Sequence, residues 1–150
     1  MASEACDDFY NASLGWFEGL DRVSFNEGFR LFVERLMEYN SKKPEPLRIM
    51  ALNAPMIESL KELPGYQHTV EMRSKVRDTF KKNLPPSVDQ VMLERFTMTF
   101  DTAIHSYLGA AHSQAEILGM DPASEEYITW VKETLICVFL PLLKKLITPE

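Results

Sequence analysis

The chain has 150 residues, the length of a single domain that can bury a hydrophobic core, and 45% of them are hydrophobic, as in ordinary globular proteins. Its formal net charge of -6 argues against nucleic-acid binding as the main function of this chain alone. The longest apolar run, residues 135–143, is far shorter than the roughly 20 residues that cross a membrane. We therefore expect one domain with neither a nucleic-acid nor a membrane partner.

The two cysteines and the acidic N-terminal residues predict a cytoplasmic protein. Cys6 and Cys137 are too few for a disulfide framework, and Cys137 lies in the most apolar run, where we expect a small buried thiol. Glu4, Asp7 and Asp8 stand where a secretory signal peptide would carry basic residues, so no signal peptide is predicted.

The first third of the chain has the apolar spacing of amphipathic helices. This spacing predicts a first helix over residues 3–20. The second begins with Ser24 as N-cap and Glu27 three residues later, a capping-box pattern, and ends near Asn40. A short, proline-bounded helix is predicted over Leu47–Asn53.

Proline and glycine separate the next two predicted helices. Met56–Leu63 is predicted as a short helical piece that Pro64-Gly65 closes, and Tyr66–Leu84 as a longer amphipathic helix. The polar face of the longer helix carries a basic stripe, which we interpret as a solvated surface rather than an anion site. The stripe consists of Arg73, Lys75, Arg77, Lys81 and Lys82.

The last part of the chain predicts two long apolar helices separated by one break. The first, Ser87–Leu118, opens with a capping-box pattern that Gln90 completes. Gly119 is its predicted C-cap, because glycine enters the left-handed conformation without steric cost. Asp121-Pro122 is predicted to restart the chain as N-cap and first helical residue of a helix that ends at Leu146.

These elements predict an all-α fold, a helical bundle of about six helices. The last two helices are apolar on most of their circumference, so most of that circumference must be buried. A chain of this length can rarely cover such helices alone, and we expect them to form a four-helix-bundle interface in a homodimer. The residues predicted for this interface are Tyr107, Ala110, Ala111, Ala115, Leu118, Ile128, Val131, Leu135, Val138 and Leu142.

Recognisable motifs for catalysis and metal binding are absent from the sequence. It has no glycine-rich phosphate loop, no HExxH and no Cys-x-x-Cys, so we predict no catalytic residue, metal site or cofactor. Asp101 and His105, four residues apart on a predicted helix, can hydrogen-bond each other or contact a ligand, and we favour a structural pair. The many methionines and aromatics fit an ordinary core or an adaptable small-molecule pocket, and composition alone favours the core.

The order, lengths and breaks of these helices resemble the C-terminal regulatory domain of tetracycline-repressor family transcription regulators. The similarity covers nearly the whole chain, including a short proline-bounded helix near Asn53-Ala54-Pro55. It implies a homodimer through the last two helices and a pocket for a small hydrophobic effector between the middle helices. The family's helix-turn-helix DNA-binding domain has no counterpart in these 150 residues.

The resemblance, together with the enrichment in methionine and phenylalanine, assigns a set of residues to the effector pocket. Its apolar lining is expected to be Trp16, Phe29, Phe32, Val33, Met50, Met72, Phe96 and Phe100. Its expected polar contacts are Asn53, Asp101 and His105.

Two other functions remain open from the sequence. A small helical enzyme acting on an apolar substrate would be favoured by turnover, or by a strongly perturbed pKa at Asp101 or His105 inside a cleft. A purely structural dimerisation or partner-binding module would instead show a filled core and no cavity.

Overall fold

The computed structural model describes residues 2–53, 62 and 66–148, and within these ranges the protein is helical with no strand, which confirms the all-α prediction. A 3₁₀ helix, Leu20–Arg22, follows the first α-helix, and a π-helix, His105–Gly109, follows the fifth. The α-helices are α1 (Ala2–Gly15), α2 (Phe25–Lys42), α3 (Glu45–Asn53), α4 (Tyr66–Lys82), α5 (Gln90–Ile104), α6 (Ala111–Ile117) and α7 (Glu125–Ile147).

The start of α2 follows the local signal in the sequence. The Ser24 hydroxyl accepts a hydrogen bond from the backbone N–H of Glu27 at 3.3 Å, which confirms the predicted N-cap. The first helix is shorter than predicted, because α1 ends at Gly15 and turns follow. Gly19 adopts a positive φ of 77°, a conformation that favours glycine, and the chain enters the 3₁₀ helix from there.

Helix α3 ends at Asn53, as predicted, but begins at Glu45, two residues before the predicted start, so Pro46 lies in its first turn. In α3, Leu47 is fully buried. The predicted helical piece Met56–Leu63 lies outside the described residues except for Glu62. Helix α4 ends at Lys82, and its end is formed by a turn in which the Leu84 N–H donates to the Lys81 carbonyl at 3.1 Å.

Helix α5 starts later than the capping-box pattern predicts, so the assignment of Ser87 as N-cap was wrong. The N–H of Val88 donates to the carbonyl of Pro85 at 3.2 Å, and the resulting turn delays the helix. Asp89 is the actual N-cap, since its carboxylate accepts from the N–H groups of Val91 and Met92 at 2.8 and 3.1 Å.

The predicted continuous helix from Ser87 to Leu118 is broken in the structure. The N–H of Ala110 bonds the carbonyl of His105 at 3.0 Å, which is the wider hydrogen-bond ring of a π-helix, and α6 begins after it. Gly119 ends α6 with a φ of 68°, and the N–H of Met120 reaches back to the carbonyl of Ala115 at 2.8 Å. This is a Schellman cap, so the predicted role of Gly119 is confirmed.

Helix α7 begins three residues after the predicted start. Asp121 accepts the N–H of Ala123 at 2.9 Å in a local turn, whereas Ser124 caps the helix by accepting the N–H of Tyr127 at 3.2 Å. The helix then passes through Pro141 and continues to Ile147.

Packing around α2, α5 and α7 builds the centre of the molecule. Helix α7 packs on α2 and on α5, α1 packs on α3 and α4, and α3 packs on the π-helix. Tyr127, Val131, Leu135 and Leu143 on α7 are almost completely buried in this core. The buried face of α7 therefore lies against the same chain, because α2 and α5 already cover it.

This packing divides the residues predicted for the dimer interface. Ala115, Val131 and Leu135 are fully buried in the chain's own core, so their assignment to the interface surface was wrong. Leu118, Val138 and Leu142 are exposed. The remaining four residues are half-buried, namely Tyr107, Ala110, Ala111 and Ile128.

The thiols are also placed differently from the sequence interpretation. Cys137, predicted to be a buried thiol, is exposed beside Val138 on the outer side of α7. Cys6 on α1 is the buried cysteine, and burial raises the pKa of its thiol to about 11.

Candidate functional site

A cavity of about 120 Å³, partly open to solvent, lies between α1, α2, α4 and α5. The described residues of its wall are mostly apolar and include eight phenylalanines, together with Trp16 and Tyr10. Such a concave, apolar space with a few polar groups is the usual form of a small-molecule site.

Five of these phenylalanines form a closed belt, in which each aromatic ring contacts the next. Successive centroids are separated by between 5.1 and 6.2 Å, the usual range for interacting aromatic side chains. We call this set the phenylalanine belt; in order of contact, it consists of Phe17, Phe32, Phe100, Phe96 and Phe80. Because its members come from four separate segments, the cavity depends on tertiary packing.

Arg35 holds the segment that carries Phe17. Its guanidinium donates to the carbonyl oxygens of Trp16 at 2.7 Å and of Glu18 at 2.6 Å, beyond the last turn of α1. These carbonyls would otherwise lack helical partners. Arg35 on α2 thus fixes the chain between α1 and the 3₁₀ helix, where Trp16 and Phe17 turn towards the cavity.

The cavity has one polar end, formed by α1, α4 and α5. The carboxylate of Asp101 lies 3.7 Å from the guanidinium of Arg73, and both residues line the cavity. Arg77 lines it as well, although its guanidinium also pairs with the exposed Glu94 at 3.1 Å. Tyr10 contributes a phenol whose pKa is raised by burial and by the nearby Asp101 charge.

Asp101 is the most unusual group at this end. Its side chain is 16% exposed, and no donor in the described part of the chain hydrogen-bonds its carboxylate. Burial raises its pKa from 3.8 to about 6, and the Arg73 charge offsets only part of this effect. The carboxyl group therefore titrates near neutral pH inside an apolar cavity.

His105 and Asp101 do not form a side-chain pair. The Nδ1–H of His105 donates to the backbone carbonyl of Asp101 at 2.6 Å, a bond within the helical turn. Burial lowers the pKa of His105, so its imidazole is favoured in the neutral form. The two residues favoured as a structural pair from the sequence are thus hydrogen-bonded, but through the backbone carbonyl of Asp101, while its carboxylate faces Arg73.

The structure brings together six of the eleven predicted pocket residues. Trp16, Phe29, Phe32, Phe96, Phe100 and Asp101 line the cavity. The other described ones do not line it: Val33, Met50 and Met72 are buried in the surrounding core, and His105 lies one turn beyond Asp101. Asn53 ends α3, and its side chain lies outside the described residues.

Sequence reasoning missed the two arginines of the polar end. Arg73 and Arg77 belong to the stripe interpreted as solvated, and for these two half-buried residues that interpretation was wrong. Lys75, Lys81 and Lys82 are exposed, as predicted. The sequence does contain a signal for these two arginines. Residues three or four positions apart lie on the same face of a helix, so Arg73 and Arg77 share a face with the apolar Phe80.

A second, wider cleft of about 400 Å³ lies beside the π-helix, where the ends of α2, α3 and α7 meet. Arg48, His112 and Asn40 are among its polar residues. The side-chain oxygen of Asn40 is buried there and accepts no hydrogen bond from the residues that the structure describes. The cleft lacks the continuous aromatic wall of the first cavity.

Histidine, cysteine and acidic side chains form no cluster of three or more suited to a metal ion in the part of the chain that the structure describes. Over the same residues, no helix combines the length and apolar character needed to cross a membrane. No protein-family model, curated protein or solved structure matches this chain.

Proposed function

We propose that this chain is the small-molecule-sensing and dimerisation domain of a transcriptional regulator, with an apolar effector bound in the aromatic cavity. The observation that carries the sensing function is the phenylalanine belt around a cavity whose lining also holds the charged residues Arg73, Arg77 and Asp101. The regulatory context rests on the resemblance of the helix order to the regulatory domain of tetracycline-repressor family proteins.

The size of the cavity supports a small effector. Its volume of about 120 Å³ is slightly below that of an engineered apolar cavity of about 150 Å³ that binds benzene. A single aromatic ring is therefore about the largest group that the space holds, and a substituent would have to extend towards the open side of the cavity. Larger effectors would need the surrounding helices to move.

Thermal unfolding in the presence of small aromatic compounds tests this proposal. A compound at 100 times its dissociation constant should stabilise the folded chain by about 2.7 kcal/mol. The test variant is Val76→Phe, because Val76 lines the cavity and a larger side chain should fill it. The matched control is Val70→Phe, since Val70 is exposed on the same helix and lies outside the cavity.

Val76→Phe should lose the shift in melting temperature, and Val70→Phe should retain it. Titration of Trp16 fluorescence provides a second measurement, because this indole is part of the cavity wall. A library of one-ring compounds that shifts neither melting temperature nor fluorescence would contradict the sensing function.

Dimerisation is the second half of the proposal, and it is supported by apolar residues that the chain leaves uncovered. Val138 and Leu142 lie four apart on the outer side of α7 and are 54% and 39% exposed. Residues at this spacing form one continuous helix face. A second copy of the chain is the partner that the sequence interpretation assigns to this helix.

One observation favours a second candidate, a small enzyme acting on an apolar substrate. Asp101 has a pKa of about 6 inside a cavity, a value suited to general acid–base catalysis near neutral pH. Proton abstraction next to a carbonyl group is the simplest reaction for a lone carboxylate. Deuterium exchange of one-ring ketones, followed by NMR, tests it; exchange no faster than with Asp101→Asn would rule out this candidate.

A further inference from the structure

We infer that the ligand of the aromatic cavity is a small aromatic amine, held by its ammonium group on Asp101 and by its ring within the phenylalanine belt. This inference rests on the proposed sensing function and adds the chemical class of the effector. Two independent features carry it, namely the carboxylate at the polar end and the aromatic wall.

The carboxylate needs a hydrogen-bond donor that the described part of the chain does not supply. A carboxylate can accept about four hydrogen bonds, yet Asp101 has only the longer 3.7 Å contact with Arg73. The Asp101 side chain is 16% exposed and can be hydrated, so a ligand that displaces this water has to supply hydrogen-bond donors in its place. An ammonium group supplies up to three N–H donors and a compensating positive charge.

The aromatic wall favours the same charge. The faces of phenylalanine rings carry partial negative charge and attract cations, and this attraction strengthens where water is excluded. Ten aromatic residues line the cavity, and none of the lining residues from α2 or α7 is charged. A ligand cation at the polar end would therefore meet the Asp101 carboxylate and aromatic side chains, with the guanidinium groups of Arg73 and Arg77 nearby.

The two arginines at the polar end do not make an anionic ligand the better match. Arg73 already faces Asp101, and its side chain is 31% exposed, so its remaining donors can reach water. Arg77 pairs with Glu94 at 3.1 Å and lies 3.7 Å from Asp78. An anionic ligand would have to approach these arginines beside the Asp101 carboxylate, whose like charge would oppose it.

Isothermal titration with three one-ring compounds distinguishes these possibilities, because benzylamine, benzyl alcohol and benzoate differ mainly in their polar group. At pH 7.5 benzylamine should bind about tenfold more tightly than benzyl alcohol, the usual advantage of a charge-assisted hydrogen bond. Benzoate should bind more weakly than either. Asp101→Asn should remove the preference for the amine, and the exposed Asp21→Asn, with the same change in net charge, should keep it.

The pH dependence provides a readout of Asp101 itself. The amine requires the ionised carboxylate, so its affinity should fall about tenfold between pH 7.5 and pH 5, while that of benzyl alcohol should change little. Tyr10, Arg73, Arg77 and His105 are the other titratable groups around this end. Burial raises the pKa of Tyr10 and lowers that of His105. Protonation of His105 would persist in Asp101→Asn, so a pH dependence that survives this substitution would contradict the assignment to Asp101.

The outcomes separate this inference from the proposed function. Equal binding of amine and alcohol, or tighter binding of benzoate, would overturn the amine assignment and leave a small-molecule site in place. Absence of binding by all three compounds and by the wider one-ring library would overturn both.

Discussion

Asp101 gives the folded chain an ionisable group whose charged form is disfavoured. Burial raises its pKa from 3.8 to about 6, so the unfolded chain ionises this carboxyl more readily than the folded chain does. The resulting destabilisation is absent below about pH 3.8, grows as the pH rises, and is complete above about pH 6. The cavity therefore retains a group that weakens the fold at neutral pH.

Replacement of Asp101 by asparagine tests this cost. At pH 7.5, Asp101→Asn should raise the free energy of unfolding by on the order of 3 kcal/mol, because the neutral amide removes the buried charge. Near pH 4 the variant and the wild type should differ little. Urea unfolding at both pH values gives the two free energies. A gain of the same size at both pH values would show that charge is not its cause.

Gly109 is the residue on which the contact between the π-helix and α3 depends. A Cβ atom there would lie 2.5 Å from the carbonyl oxygen of Leu47 and 2.7 Å from the Cβ of Ala51. Since the first of these is backbone, it cannot move away by changing rotamer. The two helices approach so closely only because this position has no side chain.

Gly109→Ala should therefore destabilise the protein by about 1–3 kcal/mol, the usual cost of overpacking. The control is Gly15→Ala, because a Cβ at Gly15 would meet no atom within 4 Å. Alanine is also the better helix former, so the control should be neutral or slightly stabilising. Chemical denaturation of both variants gives the comparison, and equal stability of the two would contradict the close-packing argument.

At the scale of helices, local sequence signals predicted which segments are helical more accurately than they predicted where each helix begins and ends. The Ser24 cap and the Gly119 C-cap depend on residues within a few positions of each other, so a sequence pattern contains them completely. The start of α5 was misplaced because Ser87 and Asp89 both suit an N-cap. The choice between them is made by the turn from Pro85 to Val88, which the capping-box pattern ignores.

The two candidate caps of α5 can be compared by single substitutions. Asp89→Ala should cost about 1 kcal/mol of unfolding free energy, because the N–H groups of Val91 and Met92 lose their acceptor. Ser87→Ala, two residues earlier on an exposed turn, should change stability little. Guanidinium unfolding measures the stability of both variants. A larger loss of stability in Ser87→Ala than in Asp89→Ala would identify Ser87 as the N-cap instead.

The π-helix was not predicted, and it coincides with a long-range contact. Apolar spacing continues from α5 into α6, so the sequence predicts one helix. The break occurs where Gly109 packs against α3, a segment far away in the chain. No window of neighbouring residues contains that information.

At the scale of the whole molecule, the periodicity of apolar residues predicted which helix faces are buried, but not which helices cover them. Val131 and Leu135 belong to an apolar face, as predicted, and α2 and α5 of the same chain cover it. The cavity shows the same limit, because six of the eleven residues predicted for the pocket line it, whereas the arginines of α4 were not predicted. Which side of α4 faces inward is decided by the position of α1 and α5.

The outer side of α7 provides the test of the homodimer. If a second copy covers Val138 and Leu142, light scattering at micromolar concentration should give twice the chain mass of 17.3 kDa. The double variant Val138→Glu and Leu142→Glu should give a single chain mass, because two carboxylates would be buried without partners. Thr129→Glu is the control, since Thr129 is exposed about half a turn away from Val138 around the helix.

Thiol labelling gives an independent readout of the same surface. Cys137 is exposed beside Val138 in the single chain, so a dimer through this face should protect it from alkylation, and the double variant should restore its reactivity. Cys6 should react slowly in every variant, because it is buried and its thiol has a pKa of about 11. A wild-type chain that remains a monomer at micromolar concentration, with Cys137 fully reactive, would leave the apolar face of α7 uncovered and contradict the homodimer.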